Sequence, residues 1–429
     1  MSALAPYLEG FKSQPQAAAW LQSLRQESLA RAEARGLPTG RDEAWKYTSV
    51  AALEKRGFRA ISSAPMLDAV TLSKLLIPGL DCPRAVFVNG RFSSTLSSLP
   101  RGVRVLTAAV ADVDLLAQLQ APTGWEDDTF LNLNTALFQD VLVLEVAADA
   151  RLTQPLAFLH VSLPDAEPAS HHLRCVVSLG AHSQATLLER YLGWDDARHF
   201  TNSVVQVHLA AGAELTHVRL QDESPQGFHV GRVLVQQAAD SRYLSHNIQT
   251  GAAWARLDLA TDLNATGASA ELDGLYTVNG RQHTDNHTHI NHLAHHTTSR
   301  ELYRGVLDGH GRAVFNGRVL VAKHAAKTDS AQANHNLLLS KGAEIDTKPE
   351  LEIYADDVKC AHGATIGQLD EQQLFYLRSR GLDADAARAL LVGAFAGRLV
   401  DRLPLPALVA HVRSRLGQAI RQLHLPEQS

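Results

Sequence analysis

The chain has 429 residues, 45% hydrophobic and 20% charged, with a formal net charge of −5, which is the composition of a soluble globular protein of two or three structural units with a sizeable core. That charge balance excludes nucleic acid or an anionic membrane as the main partner, and no stretch approaches the roughly 18 uncharged apolar residues of a membrane span. Cys82, Cys175 and Cys360 are too few and too far apart for a disulfide framework; they fit a reducing compartment, the cytoplasm, and the N-terminus lacks the pattern of a signal peptide.

The first segment, residues 1–140, reads as mixed α and β. Ala17, Trp20, Leu21 and Leu24 recur at helical spacing until Gly36 and Pro38 stop the run. In the polar stretch Gly40–Val50, Trp45 and Tyr47 stand out. "AVFVNGRF" (Ala85–Phe92) predicts a hairpin, with Asn89-Gly90 as its type I′ turn. From Val141 to Gln368 the chain turns to short runs rich in Val, Leu and Thr, such as "VLVLEV", "SVVQVHL" and "ELTHVRL", punctuated by turn residues. Gly-Ala pairs at 180, 212, 251, 267, 342 and 363 look like worn copies of one turn, at irregular spacing. Many short strands with a recurring turn suit a β-solenoid, a sandwich or a jelly roll alike.

Residues 369–429 return to helix. Asp370 caps a helix that ends at Gly381, and Asp383 caps a second carrying Leu390, Leu391, Phe395 and Leu399. A third has Leu408, Val412, Leu416, Ile420 and Leu423 on one face. Most of these positions read as core. With little β core expected nearby to cover the tail, it also reads as a docking module.

The chemistry concentrates in two places. There is no P-loop, no H-E-x-x-H and no G-x-S-x-G. Six of the 21 histidines fall within His283–His296, in "HTDNHTHINHLAHH". On a strand, His283, Asp285, His287 and His289 share one face. Such a row could bind zinc or iron. With no carboxylate or cysteine at a local spacing that closes a site, a polar ladder on an exposed strand face is the favoured reading. The second place is "ADDVKCAHGA" (Ala355–Ala364). A strand here puts Cys360 and His362 on one face, an arrangement that suits shared metal ligation better than a nucleophile and its base. On the residues alone, a small buried cysteine beside a satisfied histidine is slightly favoured over ligation. Three scattered cysteines cannot build a four-thiolate cluster, so any metal at Cys360 and His362 needs ligands from another chain or a small molecule.

Two long blocks resemble the SufD family of iron–sulfur cluster assembly proteins: "NGRQHTDNHTHINHLAHHTTSRELYRGVLDGHGRAVFNGRVLV" (Asn279–Val321) and the run Ala326–Gly381 that contains "DDVKCAHGA". "RDEAWKYT" (Arg41–Thr48) and "FVNGRF" (Phe87–Phe92) are similar to it too. The resemblance implies a mainly β protein: a right-handed parallel β-helix core over 141–368, between an N-terminal helical or mixed region (1–140) and a C-terminal helical region (369–429). It implies no enzyme activity. It further implies pairing with a SufB-like paralogue through the β-helix, a SufC-like ATPase on the C-terminal helices, and a homodimer when the partner is absent. Cys360 and His362 match the family's assembly motif. They would hold a transient Fe–S cluster shared with the partner, none being bound permanently by this chain alone. No ligand role carries over to the histidines of 283–296. Two rival readings stand beside this one: a His-rich metalloenzyme using His287 and His289, and a purely structural assembly protein in which Cys360 and His362 only pack.

Overall fold

In the computed structural model, which describes residues 4–12, 17–60, 66–107 and 113–422, the β-prone runs form parallel strands wound into a solenoid of about eight turns. Each turn contributes one strand to each of two sheets. The first sheet orders Val103–Thr107, Asp140–Val146, Ala169–Leu179, His199–Leu209, Phe228–Gln237, Trp254–Leu263, His283–His292, Arg312–Val321 and Glu344–Ile353. The second orders Arg91–Phe92, Arg84–Val88, Leu156–Ser162, Gln184–Gly193, Glu214–Asp222, Arg242–Gln249, Ser269–Val278, Thr298–Leu307, Asp329–Leu338 and Lys359–Gly367. The weak repeat is thus one turn of the solenoid. Its length varies from 26 residues between the register partners Phe228 and Trp254 to 33 between Val141 and Arg174. The Gly-Ala pairs are irregularly spaced because they fall at two different corners: those at 180, 212 and 267 lead from the first sheet to the second, those at 251 and 342 from the second to the first. One pair departs from the pattern: Gly363-Ala364 lies inside a strand, not at a turn.

Alternation sends every second side chain into the lumen between the sheets. Leu142, Leu144, Leu173, Val177, Leu187, Leu215, Val233, Leu257, Leu272 and Phe315 form one continuous buried core there. The opposite residues of the second sheet, among them Leu188, Val218, Leu220, Ile248, Leu275, Val306 and Leu337, are also apolar. They need a cover, and the C-terminal helices Ala384–Val400 and Pro406–Gln422 provide it with Val392, Ala396, Leu399, Leu408, Val412 and Leu416. The expectation that little β core lies near the tail is therefore corrected. A solenoid sheet has two faces to bury, and the lumen takes only one. Leu390 departs from the predicted core stripe and is 51% exposed. Leu423 and the side chain of Ile420 lie outside the described residues.

Local signals hold where the physics is local. Helix Ala19–Arg35 stops at Gly36, at φ 73°. The hairpin pairs Phe87 with Phe92 around Asn89 and Gly90, at φ 46° and 80°. Asp370 and Asp383 cap Glu371–Ser379 and Ala384–Val400 by accepting from Gln372 N at 2.8 Å and Ala386 N at 2.7 Å.

Candidate functional site

Lys359–Gly367 is the last strand of the second sheet, and among the described residues it pairs only with Asp329–Leu338. Glu344–Ile353 likewise ends the first sheet, paired only with Arg312–Val321. Both sheets therefore finish on an open edge at the same end of the solenoid. In register, Cys360 lies beside Ser330 and His362 beside Gln332, two residues buried in the lumen. Strand parity then places Cys360 and His362 together on the lumenal wall of the open mouth. Cys360 packs half-buried against the end of the core. Burial pushes its thiol above the ordinary value, and a backbone hydrogen bond at Ser330 only partly opposes this. The thiol is thus protonated at neutral pH. His362 is exposed, and among the described residues no hydrogen bond or ion pair fixes its ring. Chemically this is a thiol and a free imidazole on one wall, open on the side where the solenoid stops.

Behind the mouth the lumen is polar, which sequence reasoning missed. Glu301 lies next to Gln332 in register and accepts a hydrogen bond from Gln332 Nε2 at 2.6 Å. Burial pushes the Glu301 carboxyl up to about 7, against hydrogen bonds from Thr288 and Gln332. Beside them, Tyr276 donates to Asn336 Oδ1 at 2.5 Å and Asn336 donates to Asn334 Oδ1 at 2.6 Å. Deeper in, Glu189 sits 3.0 Å from both His217 Nε2 and Arg219 Nε. Burial alone would raise that carboxyl, yet Arg219 and His217 bring it down to about 2. Glu223 is held in the same way by His199 at 3.2 Å and His229 at 2.8 Å. The strand "ELTHVRLQD" explains the miss. Its polar residues His217, Arg219 and Gln221 would by ordinary patterning face water, and Val218 and Leu220 the core. Here the apolar set lies under the C-terminal helices and the polar set lines the lumen.

The histidine row corrects a second expectation. It is not an exposed face: Asp285, His287 and their neighbours are buried beneath the N-terminal segment. Thr48 Oγ1 donates to Asp285 Oδ2 at 2.6 Å and meets His283 Nε2 at 3.0 Å. Trp45 lies over the Arg256 guanidinium, 3.9 Å from ring centroid to Cζ, and Arg256 Nη1 donates to Ala44 O at 2.6 Å. A carboxylate does join the row. Asp258, in register with His287 on the neighbouring strand, brings a ligand atom within 4.8 Å of nitrogens of His287 and His289. Local spacing could not reveal it, because parallel pairing joins residues one whole turn apart. That carboxylate is already taken, by Arg256 at 2.8 and 2.9 Å and by Arg232 at 2.6 Å. Two guanidiniums on the only acid of the trio oppose a cation there, so the row works as an ion-paired clasp between the segment Arg41–Thr48 and the solenoid. Cys82 and Cys175 are buried and lie far along the chain from the mouth.

Comparison with known proteins adds independent findings. A family model described as "SUF system FeS cluster assembly, SufBD core domain" matches residues 162–395, and one described as "SufBD protein N-terminal region" matches residues 10–158. The chain is 36% identical over 417 residues to the iron–sulfur cluster assembly protein SufD of Escherichia coli, covering 96% of this chain and 94% of that protein. It is 34% identical to an iron–sulfur cluster assembly SufBD family protein of Synechocystis, over 88% of this chain and 86% of that one. It is 28% identical to the chloroplastic protein ABCI7 of Arabidopsis thaliana, over 94% and 86%.

Proposed function

This chain belongs to the SufBD family of SUF-system iron–sulfur cluster assembly proteins, and from that premise we propose that it is a non-catalytic scaffold subunit whose cluster site is completed by a second, SufB-like chain. One observation carries the reading: Cys360 and His362 share the lumenal wall of the terminal strand, at an edge whose backbone groups have no partner strand among the described residues. An open edge is a template for pairing, and a partner solenoid seated there brings its own ligands to within reach. It also accounts for the incomplete donor set. A thiol and an imidazole hold a nascent cluster only while other ligands are supplied across the interface. The cluster is cargo, passed on rather than kept.

The partner ATPase, SufC-like, docks on the C-terminal helices. Support comes from Phe375, Tyr376 and Leu390, which remain 74%, 56% and 51% exposed while Leu374, Val392, Ala396 and Leu399 of the same helices are buried. With its partner absent, the same open edge favours self-association. Three unpaired cysteines fit the reducing cytoplasm, and no described helix is long and apolar enough to cross a membrane.

The test is anaerobic reconstitution of the three-protein complex with iron and sulfide, comparing wild type with His362→Ala. The variant is expected to lose most of its cluster yield while the complex still assembles. Undiminished cluster formation and transfer by the variant would sink the assigned site.

A further inference from the structure

Of the buried acids in the lumen, Glu301 is unusual. Glu189 and Glu223 each meet arginine or histidine, but no cationic side chain pairs with Glu301 among the described residues. Its hydrogen-bond partners are Thr288 and Gln332, and Gln332 is itself half satisfied. Its Nε2 donates to Glu301 Oε2 at 2.6 Å, whereas its Oε1 is buried with no hydrogen-bond partner. An orphaned buried carbonyl is costly, on the order of 1–3 kcal/mol, and such groups mark places where something else binds. The amide has been given room: a Cβ at Gly317, on the opposite sheet, would lie 2.1 Å from Gln332 Nε2. The residue beside Gln332 in register, one strand nearer the mouth, is His362, whose ring has no partner among the described residues. Adjacent strands lie about 4.8 Å apart, so side chains in one lumenal row are neighbours.

We propose that Gln332, held by Glu301, is the positioning residue of His362: its free carbonyl oxygen accepts the N–H of one imidazole nitrogen while the other nitrogen binds iron. This rests on the reading of His362 as a ligand given above. A metal-bound histidine needs its remote N–H fixed, which selects the tautomer and the ring orientation. Glu301 fixes the amide in turn. By accepting from Nε2 it leaves the carbonyl as the end of Gln332 available to His362. The row Glu301, Gln332, His362 thus runs from the closed interior to the open mouth.

The test titrates the assembled complex anaerobically with ferrous ion alone, for wild type, His362→Ala, Gln332→Met and Gln332→Glu. Met keeps the length of Gln without the acceptor. Glu, protonated in mildly acidic buffer beside Glu301, presents the same donor and acceptor as the amide. Gln332→Met is expected to raise the iron concentration for half-loading by about 10- to 100-fold, and Gln332→Glu to restore it. Loading by Gln332→Met at wild-type concentrations, with His362→Ala impaired, overturns this inference and leaves the site assignment standing. Wild-type loading by His362→Ala overturns both. A second measurement needs no variant. With 15N-labelled imidazole and zinc as a diamagnetic probe, the remote N–H proton of His362 should be protected from exchange; free exchange with solvent overturns the proposal.

Discussion

Arg256 shows how strongly the N-terminal segment is tied to the solenoid. Its guanidinium is fully buried, 2.9 Å from Asp285 Oδ2, 2.8 and 2.9 Å from the Asp258 oxygens, and stacked under Trp45. Replacing it by Ala leaves Asp285 with Thr48 and His287, and Asp258 with Arg232. Breaking a buried ion pair from one side costs roughly 3–5 kcal/mol, and the lost cation–π contact adds about 1–2 kcal/mol. The sign of the pH dependence follows from Asp285. Burial raises its carboxyl, but His287 and Arg256 outweigh burial and bring it down to about 2. A depressed carboxyl contributes stability above its unfolded value, near 4, and loses it as pH falls through 2. In Arg256→Ala the Arg256 share of that depression is lost while His287 keeps the rest. Denaturant unfolding followed by circular dichroism should therefore show roughly 4–7 kcal/mol of destabilisation at neutral pH, diminishing as pH falls toward 2. Limited proteolysis should cut the segment Arg41–Thr48 faster. A deficit below about 1 kcal/mol, or one that does not change with pH, would refute the clasp as an electrostatic device.

Glu301 carries the opposite sign. Its carboxyl rises to about 7 in the fold, so the protonated acid is favoured, and the associated stability is complete below its unfolded value near 4 and is lost as pH rises through 7. Glu301→Gln, which has no proton to lose, should match wild type near pH 4 and exceed it by about 3 kcal/mol above pH 8, read from paired urea titrations. On the C-terminal helices, Phe375→Ala with Leu390→Asp should weaken pull-down of the ATPase at least tenfold with an unchanged melting temperature, since neither side chain is buried. Deleting the helices after Gln368 is a poorer test of docking. It uncovers Leu188, Val218, Leu220 and Ile248, and the truncated chain should aggregate in light scattering.

The elements and their limits were legible wherever a few neighbouring residues decide the outcome. Gly36, the Asn89-Gly90 turn and the caps Asp370 and Asp383 each act within one turn of chain. Parity along one strand was legible as well: Cys360 and His362 do share a face. Which face it is was not. A half-buried strand with polar residues on one side ordinarily turns that side to water, and here the rule reverses. His217, Arg219, Glu301 and Gln332 look inward because helices claim the apolar side, and mutual pairing lets most of the polar groups stay in the lumen. The histidine row was misplaced for a related reason. Whether His287 meets water depends on Trp45 and Thr48, more than two hundred residues earlier in the chain.

By itself, the sequence determined the family of the protein and singled out Cys360 and His362 as a pair on one strand face, short of a full ligand set. Composition, the run of short strands, the long blocks Asn279–Val321 and Ala326–Gly381, and three scattered cysteines are all properties of the chain order. Only the tertiary structure decided that Cys360 and His362 stand at the mouth of a polar lumen, and that Gln332 and Glu301 stand behind them. Parallel pairing sets side by side residues separated by a full turn of about 30 positions, Glu301, Gln332 and His362 among them. That separation varies with every loop, so no local pattern encodes it.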